Sequence, residues 1–326
     1  MHPIAPTPPP DKVILIHHGA LGDYLLAWPA ALALSLAYPG VMLIFAGSGE
    51  RLRWLAPLGY RGCPPEFRRS LDGLYGAEEL PENLADCLLV WPYVERRPDL
   101  PRDPRIWALP AVAGAGEAHA RDVLARGLAA HGVDVPGDWL GTFRALFAGE
   151  RRPGRDVLLF PGAGHPLKQW PLVQFFQLTD MLAENGWNPR FVLGPAELER
   201  GMDLGGRPCV PAGEVETLAG LERLLLGAAG VVGPDTGPMH LAGMLGVPGV
   251  ALFGPTRAAQ WGPVGLAALE SPLDCAPCTR TCADLDCPAA RCLAGLDAER
   301  VWRLLEGELA KGNRLSSPGI LESRSR

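Results

Sequence analysis

The sequence reads as an α/β protein built from two Rossmann-like domains that face one another across a cleft. Three observations carry that reading. Short apolar runs alternate with longer helical stretches along most of the chain, the pattern of a parallel sheet covered by helices on both faces. The alternation runs through twice, and a polar, turn-prone segment, GERRPGR at 149–155, separates the two passes. The length, 326 residues, suits about two domains.

In the first pass VILI (13–16) is a short apolar run ended by His-His-Gly, as expected of a buried parallel strand. A helix is expected over Asp23–Ala37, ending at Pro39-Gly40, then a strand over Val41–Ala46, a helix over Glu50–Leu58 and a strand over Cys87–Trp91. Arg96–Gly116 is rich in Pro and Arg and reads as loop, and Arg121–His131 as helix. The second pass places strands over Val157–Phe160, Arg190–Leu193, Gly230–Gly233 and Val247–Phe253. Its helices fall over Pro171–Asn185, Glu216–Ala228 and Gly237–Leu245. Val301, Trp302 and Leu305 at helical spacing add a packed helix over Asp297–Leu309. The expected division is a disordered, Pro-rich lead-in over 1–12, domains over 13–150 and 151–312, and a frayed tail over 313–326.

Composition removes several classes. Hydrophobic residues make up 48 % and charged residues 20 %, which excludes a disordered chain. The net charge is −6 with no block of like charge, which argues against a nucleic-acid partner. Tyr24–Tyr38 is uncharged but too short to span a bilayer and is interrupted by Pro29, so it reads as a buried core helix. The N-terminus has no apolar segment before a small-residue cleavage site, so a cytoplasmic, reducing setting is expected.

In doubly wound sheets ligands sit beyond the carboxyl ends of strands, so the loops after strands carry the chemistry. Three stand out. In HHGALGD (17–23), Gly19 and Gly22 permit a tight turn, and Asp23 is either a helix cap or a carboxylate aimed into the cleft. The spacing is not G-x-G-x-x-G, which weighs against a nicotinamide oxidoreductase. In FPGAGHPLKQWP (160–171), Gly162 and Gly164 lead to a helix beginning near Pro171, an anion-binding arrangement. Lys168, one of only three lysines, is either a solvated loop residue or a point charge for phosphate. In GPDTGPMH (233–240), Asp235 or Thr236 can cap a helix with Pro238 at its start. Alternatively, the N–H groups of Thr236 and Gly237 bind phosphate with His240 nearby.

Four segments together resemble the ADP-heptose:lipopolysaccharide heptosyltransferases, glycosyltransferase family 9: GALGDYLLAWPAALAL (19–34), FPGAGHPLKQWP (160–171), VLGPAE (192–197) and VVGPDTGPMHLAGMLGVPGVALFGPT (231–256). The last is the most specific. The resemblance runs in order over about 13–305 and is loose over 50–149. It implies a two-domain glycosyltransferase fold of the GT-B type, with an acceptor-side N-terminal domain and a nucleotide-sugar-binding C-terminal one. That fold type leads to the expectation that the helix over Asp297–Leu309 crosses back to the first domain. It implies Asp23 as general base, Lys168 on the donor phosphates, Thr236 and Gly237 on phosphate, Asp235 and His240 near the sugar, and Glu197 on the ribose hydroxyls. Inverting transfer from ADP-heptose to a lipopolysaccharide-core or similar glycan is the implied reaction. Its lipid-anchored acceptors imply work at the inner face of the inner membrane. A base near the reference carboxylate pKa of about 3.9 is expected to be ionised. No D-x-D pair stands near a strand end, so the diphosphate requires no metal. One departure is His17, where many members carry Arg, and this bears on the acceptor.

Five of the eight cysteines fall in C-x2-C-x3-C-x4-C-x4-C, Cys275 to Cys292. The spacing admits a structural zinc or an iron–sulfur centre. An odd count of five fits neither a disulfide set nor a lone four-thiolate site, so reduced thiols are the expectation. The remaining alternatives are a relative using another nucleotide sugar and a non-catalytic sugar-nucleotide-binding protein.

Overall fold

A computed structural model describes residues 10–94, 97–112, 118–149, 151–279, 281, 285, 287 and 291–316, the side chains of 313–316 excepted. Most of the expected lead-in, the tail from 317, parts of the 96–116 and 149–155 segments, and Cys282 lie outside the described residues.

The first half runs β1 (Lys12–His17), α1 (Leu21–Ala37), β2 (Met42–Gly47), β3 (Tyr60–Gly62), α2 (Pro65–Asp72), β4 (Cys87–Tyr93), β5 (Ile106–Pro110), α3 (Ala120–Ala129) and α4 (Trp139–Phe147). Its parallel sheet has the order β3-β2-β1-β4-β5. The second half runs β6 (Asp156–Leu159), α5 (Leu172–Glu184), β7 (Asn188–Phe191), α6 (Pro195–Glu199), α7 (Leu218–Gly227), β8 (Gly230–Pro234), α8 (Gly237–Met244), β9 (Gly249–Phe253), α9 (Ala258–Trp261), β10 (Ala267–Glu270), α10 (Arg291–Ala294) and α11 (Ala298–Ser316). Its parallel sheet has the order β10-β9-β8-β6-β7. Both are Rossmann-like. Strand order reverses between β1 and β4 in one sheet and between β6 and β8 in the other, and these switch points are where such sheets hold ligands.

The structure departs from the sequence reading in several places. Residues 50–58 form two 3-10 turns, Gly49–Trp54 and Ala56–Leu58, where one α-helix was expected. Pro57 and the left-handed Gly59 (φ 90°) cut the segment short, and β3 follows at once. The supposed loop 96–116 contains β5, whose apolar IWALP is flanked by Pro and Arg and so was hidden by composition. The helix α4 was not anticipated. Pro171 caps α5 and does not begin it. The last helix continues to Ser316, four residues into the segment expected as tail. It also packs on α5 and on β8, β9 and β10 and stays with the second sheet, contrary to the expected crossing. None of the described helices is long and apolar enough to cross a membrane.

The helix α1 has no polar face: every residue from Tyr24 to Leu34 is buried. A helix apolar all round must be covered all round, and α1 packs against α3 and α4 of its own half and α8 of the other. One apolar core therefore runs through both halves, from Val13 and Trp28 to Met239 and Leu241. Trp28 is central to it. Its ring meets Phe143 edge-on at 4.9 Å, and its Nε1 donates to the Trp54 carbonyl at 2.8 Å. Polar straps reinforce the contact. Arg144 donates to the carbonyls of Gly243 and Met244 at the end of α8, where helix carbonyls lack partners. Arg151 donates to Gly246 and Ala228, and Trp54 and Arg53 both donate to Glu222 on α7.

Trp28→Ala is expected to lower folding free energy by about 3–5 kcal/mol through the cavity and the lost contacts. Denaturant unfolding measures this. A loss under about 1 kcal/mol would mean that the shared core does not depend on this ring.

Candidate functional site

The two halves meet around a cleft of about 360 Å³ at both switch points. Loops after β1, β4, β6, β8 and β9 all reach it. Its lining includes Asp23 from α1, Gly164, His165 and Lys168 from the β6 loop, and Asp235, Thr236, Gly237 and His240 from the β8–α8 junction. Two helix N-termini come head to head here. A Cβ on Gly22 would lie 3.2 Å from His240 Cδ2, and one on Gly237 would lie 2.7 Å from Leu21 Cβ. The second contact is too short for any side chain, so glycine at 237 sets how near the halves come.

Asp23 is not the cap of α1. Ala20 holds that position, and Asp23 sits in the first turn with its side chain lining the cleft. Burial raises its carboxyl above the ordinary 3.8, His240 and Lys168 pull it down, and Asp235 pushes it up again. The expectation of an unshifted base is thus corrected: desolvation at the domain junction makes this carboxylate more basic.

Asp235 behaves oppositely. Lys168 Nζ lies 2.5 Å from its Oδ2, and His240 Nε2 lies 3.4 Å from its Oδ1. Burial alone would raise this carboxyl, but the ammonium and the imidazole hydrogen bond outweigh it and hold it at about 2. Lys168 is therefore no solvated loop lysine; its side chain is 13 % exposed. Thr236 stands at the N-cap of α8 without making a capping bond, and its buried Oγ1 has no hydrogen-bond partner among the described residues. His165 Nδ1 accepts the Leu167 N–H, which leaves its other nitrogen to carry the proton.

Glu197 lies one loop away. Its Oε2 accepts the Gly194 N–H at 3.0 Å, a capping contact for α6, and its carboxyl fills the space where a Cβ on Gly162 would stand. Gly162 is thereby required by Glu197, whereas a Cβ on Gly164 would meet nothing within 4 Å. The cleft also takes in Val94, Thr256 and Trp261, to which sequence reasoning gave no role. Thr256 Oγ1 is 3.5 Å from Asp235 Oδ2. Val94 and Thr256 follow the ends of β4 and β9, and the strand-end rule applied to every strand would have found both.

Among the described residues no group of three or more His, Cys, Asp and Glu is arranged to hold a metal. Of the cysteine cluster, Cys275 and Cys278 are exposed, whereas Cys292 is buried in the second core beside Leu293 and against Gly254.

Comparison with known proteins agrees with the architecture. Residues 144–287 match the family described as glycosyltransferase family 9 (heptosyltransferase). The chain is 29 % identical over 352 residues to lipopolysaccharide heptosyltransferase 1 of Pseudomonas aeruginosa, covering 91 % of this chain and 98 % of that one. The E. coli heptosyltransferase WaaC with ADP shares the fold at a TM-score of 0.61 and 19 % identity, covering 91 % of this chain and 99 % of that one. E. coli ADP-heptose lps heptosyltransferase II does so at 0.60 and 16 %, covering 93 % and 99 %. In sequence over part of its length and in architecture over most of it, this chain is similar to the glycosyltransferases of family 9.

Proposed function

We propose that this chain is an inverting glycosyltransferase that moves heptose from ADP-heptose to a lipopolysaccharide-core or similar glycan acceptor. The observation that carries the reading is the placement of Asp23, from one half, across a single cleft from Lys168, Asp235 and the N-terminus of α8, from the other. The relatives described as heptosyltransferases supply the sugar and the nucleotide. The residues 13–150 then form the acceptor side and 151–312 the donor side. A lipid-linked acceptor puts the work at the cytoplasmic face of the inner membrane.

In this reading the donor diphosphate lies at the N-terminus of α8, where the main-chain N–H groups and the Thr236 hydroxyl lack partners within the helix. The open space beside Gly164 lets the donor approach the main chain. The ammonium of Lys168 is already held by Asp235, so it meets the developing negative charge without reorganising. Glu197 takes the ribose hydroxyls beside its capping contact. The acceptor hydroxyl attacks the anomeric carbon as the bond to the diphosphate breaks, and Asp23 accepts the hydroxyl proton. The raised pKa of a buried carboxyl suits that task better than an ordinary one. His240 hydrogen-bonds Asp235 and packs on Gly22, holding the two halves of the site in register.

Transfer is measured with ADP-heptose and heptose-deficient lipopolysaccharide. Asp23→Asn is expected to reduce kcat by about 10²–10⁴-fold while ADP affinity stays within about threefold. Near-normal turnover would remove the base assignment. In the wild-type chain kcat should fall as acid protonates Asp23, with a midpoint above the ordinary 3.8 because burial raises this group. A profile flat down to that value would contradict the assignment. Lys168→Ala is expected to weaken ADP binding in calorimetry about tenfold, or ~1.4 kcal/mol. Selective binding of UDP, GDP or CDP in place of ADP would keep the transferase class and discard ADP-heptose.

A further inference from the structure

Arg51 lies outside every motif quoted above, in the 3-10 turn after β2. Its Nη1 donates to the Gly19 main-chain carbonyl at 2.7 Å and stands 3.4 Å from His17 Nδ1. Its guanidinium carbon is 5.5 Å from the centre of the Tyr24 ring, and the Tyr24 hydroxyl donates to the Arg51 carbonyl at 2.9 Å. Side chain and main chain of residue 51 thus both grip the segment 17–24. That segment carries Asp23. Gly19 is close beneath it: a Cβ there would lie 3.3 Å from Asp23 Oδ2 and 3.0 Å from His17 Cε1.

The end of β1 has no cation of its own. His17 is 4 % exposed, and burial together with the charges of Arg51 and His18 depresses its pKa to about 3, so the ring is neutral. Arg51 is the charge that stands there instead. Only its Nη1 is engaged in hydrogen bonds among the described residues.

We propose that Arg51 is a positioning residue for the transfer: its guanidinium holds the Gly19 carbonyl and so fixes the loop on which Asp23 sits. The proposal rests on Asp23 being the base. The groups that face Asp23 are His240, Asp235 and Lys168 from the second half, the Ala20 N–H on its own loop, and Arg51 from the turn after β2. The charge of Arg51 couples to Asp23, so removing it makes the carboxyl harder to ionise. Among the described residues the hydrogen bonds of the Arg51 side chain go to His17 and Gly19 and not to the β6 loop or the start of α8, so donor binding is expected to be left alone.

The test uses the full chain, ADP-heptose and heptose-deficient lipopolysaccharide, with Arg51→Gln, Arg51→Lys and Asp23→Asn compared. Arg51→Gln ends two bonds short of Nη1, so it loses both the hold on the Gly19 carbonyl and the charge; Arg51→Lys keeps the charge and a donor of nearly the same reach. The expected result for Arg51→Gln is a loss of about tenfold in kcat, with the acid limb moved up by about half a pH unit and donor KM within about twofold. Arg51→Lys should retain most of the turnover and the wild-type acid limb. An unchanged kcat and acid limb in Arg51→Gln, with Asp23→Asn inactive, would overturn the proposal and leave the base assignment standing. Equal losses in both Arg51 variants with a parallel rise in donor KM would also overturn it, since that is a general structural defect. Substantial turnover in Asp23→Asn would instead fail the base assignment and the proposal with it.

Discussion

The site depends on two helix N-termini meeting head to head. α1 arrives from the first sheet and α8 from the second, and Gly22 and Gly237 let them come closer than any side chain at 237 would allow. Both helix ends carry partial positive charge. Two carboxylates stand at these ends, Asp23 in the first turn of α1 and Asp235 just before α8, and Asp235 is in turn paired with the ammonium of Lys168. On the proposed reading a diphosphate brings the negative charge that these helix ends favour.

The two carboxylates have opposite environments, and that difference separates their roles. Asp235 is bound by Lys168 and His240 and stays ionised down to about 2, which makes it a structural anion that aims the ammonium. Among the described residues Asp23 has no such hydrogen-bonded partner, and burial raises it, which on the proposed reading suits it to take a proton. Neither role follows from residue type, since both are aspartates at strand-to-helix junctions. The shared apolar core through α1 and α8 holds this geometry, so the mutual position of the two sheets is set by packing and not by the 149–155 segment alone.

The fold was largely legible in the sequence, because buried parallel strands are short apolar runs and most were bounded by Gly or Pro. What escaped was local. β5 was hidden by its Pro- and Arg-rich flanks, and the 3-10 turns at 49–58 were read as helix because their composition is helical while Pro57 and Gly59 forbid continuation. In the site, the three glycine-containing loops did come together, and Asp23, Lys168, Asp235, Thr236, Gly237 and His240 line one cleft. Sequence could not show that Asp23 is past the cap, that Lys168 is paired with Asp235, or that Glu197 occupies the space Gly162 leaves open. The last two depend on contacts between residues far apart in the chain. Arg51 escaped for the same reason, since its contacts reach back 32 residues to the β1 loop.

The central claim is that the head-to-head helix ends form the donor site and set it against Asp23. The most direct measurement is a crystal structure of the chain with ADP-heptose. The account predicts diphosphate oxygens within hydrogen-bond reach of the Thr236 and Gly237 N–H groups and of Lys168, with the anomeric carbon open toward Asp23. A donor bound elsewhere, or bound in the cleft with its diphosphate turned away from the N-terminus of α8, would contradict it.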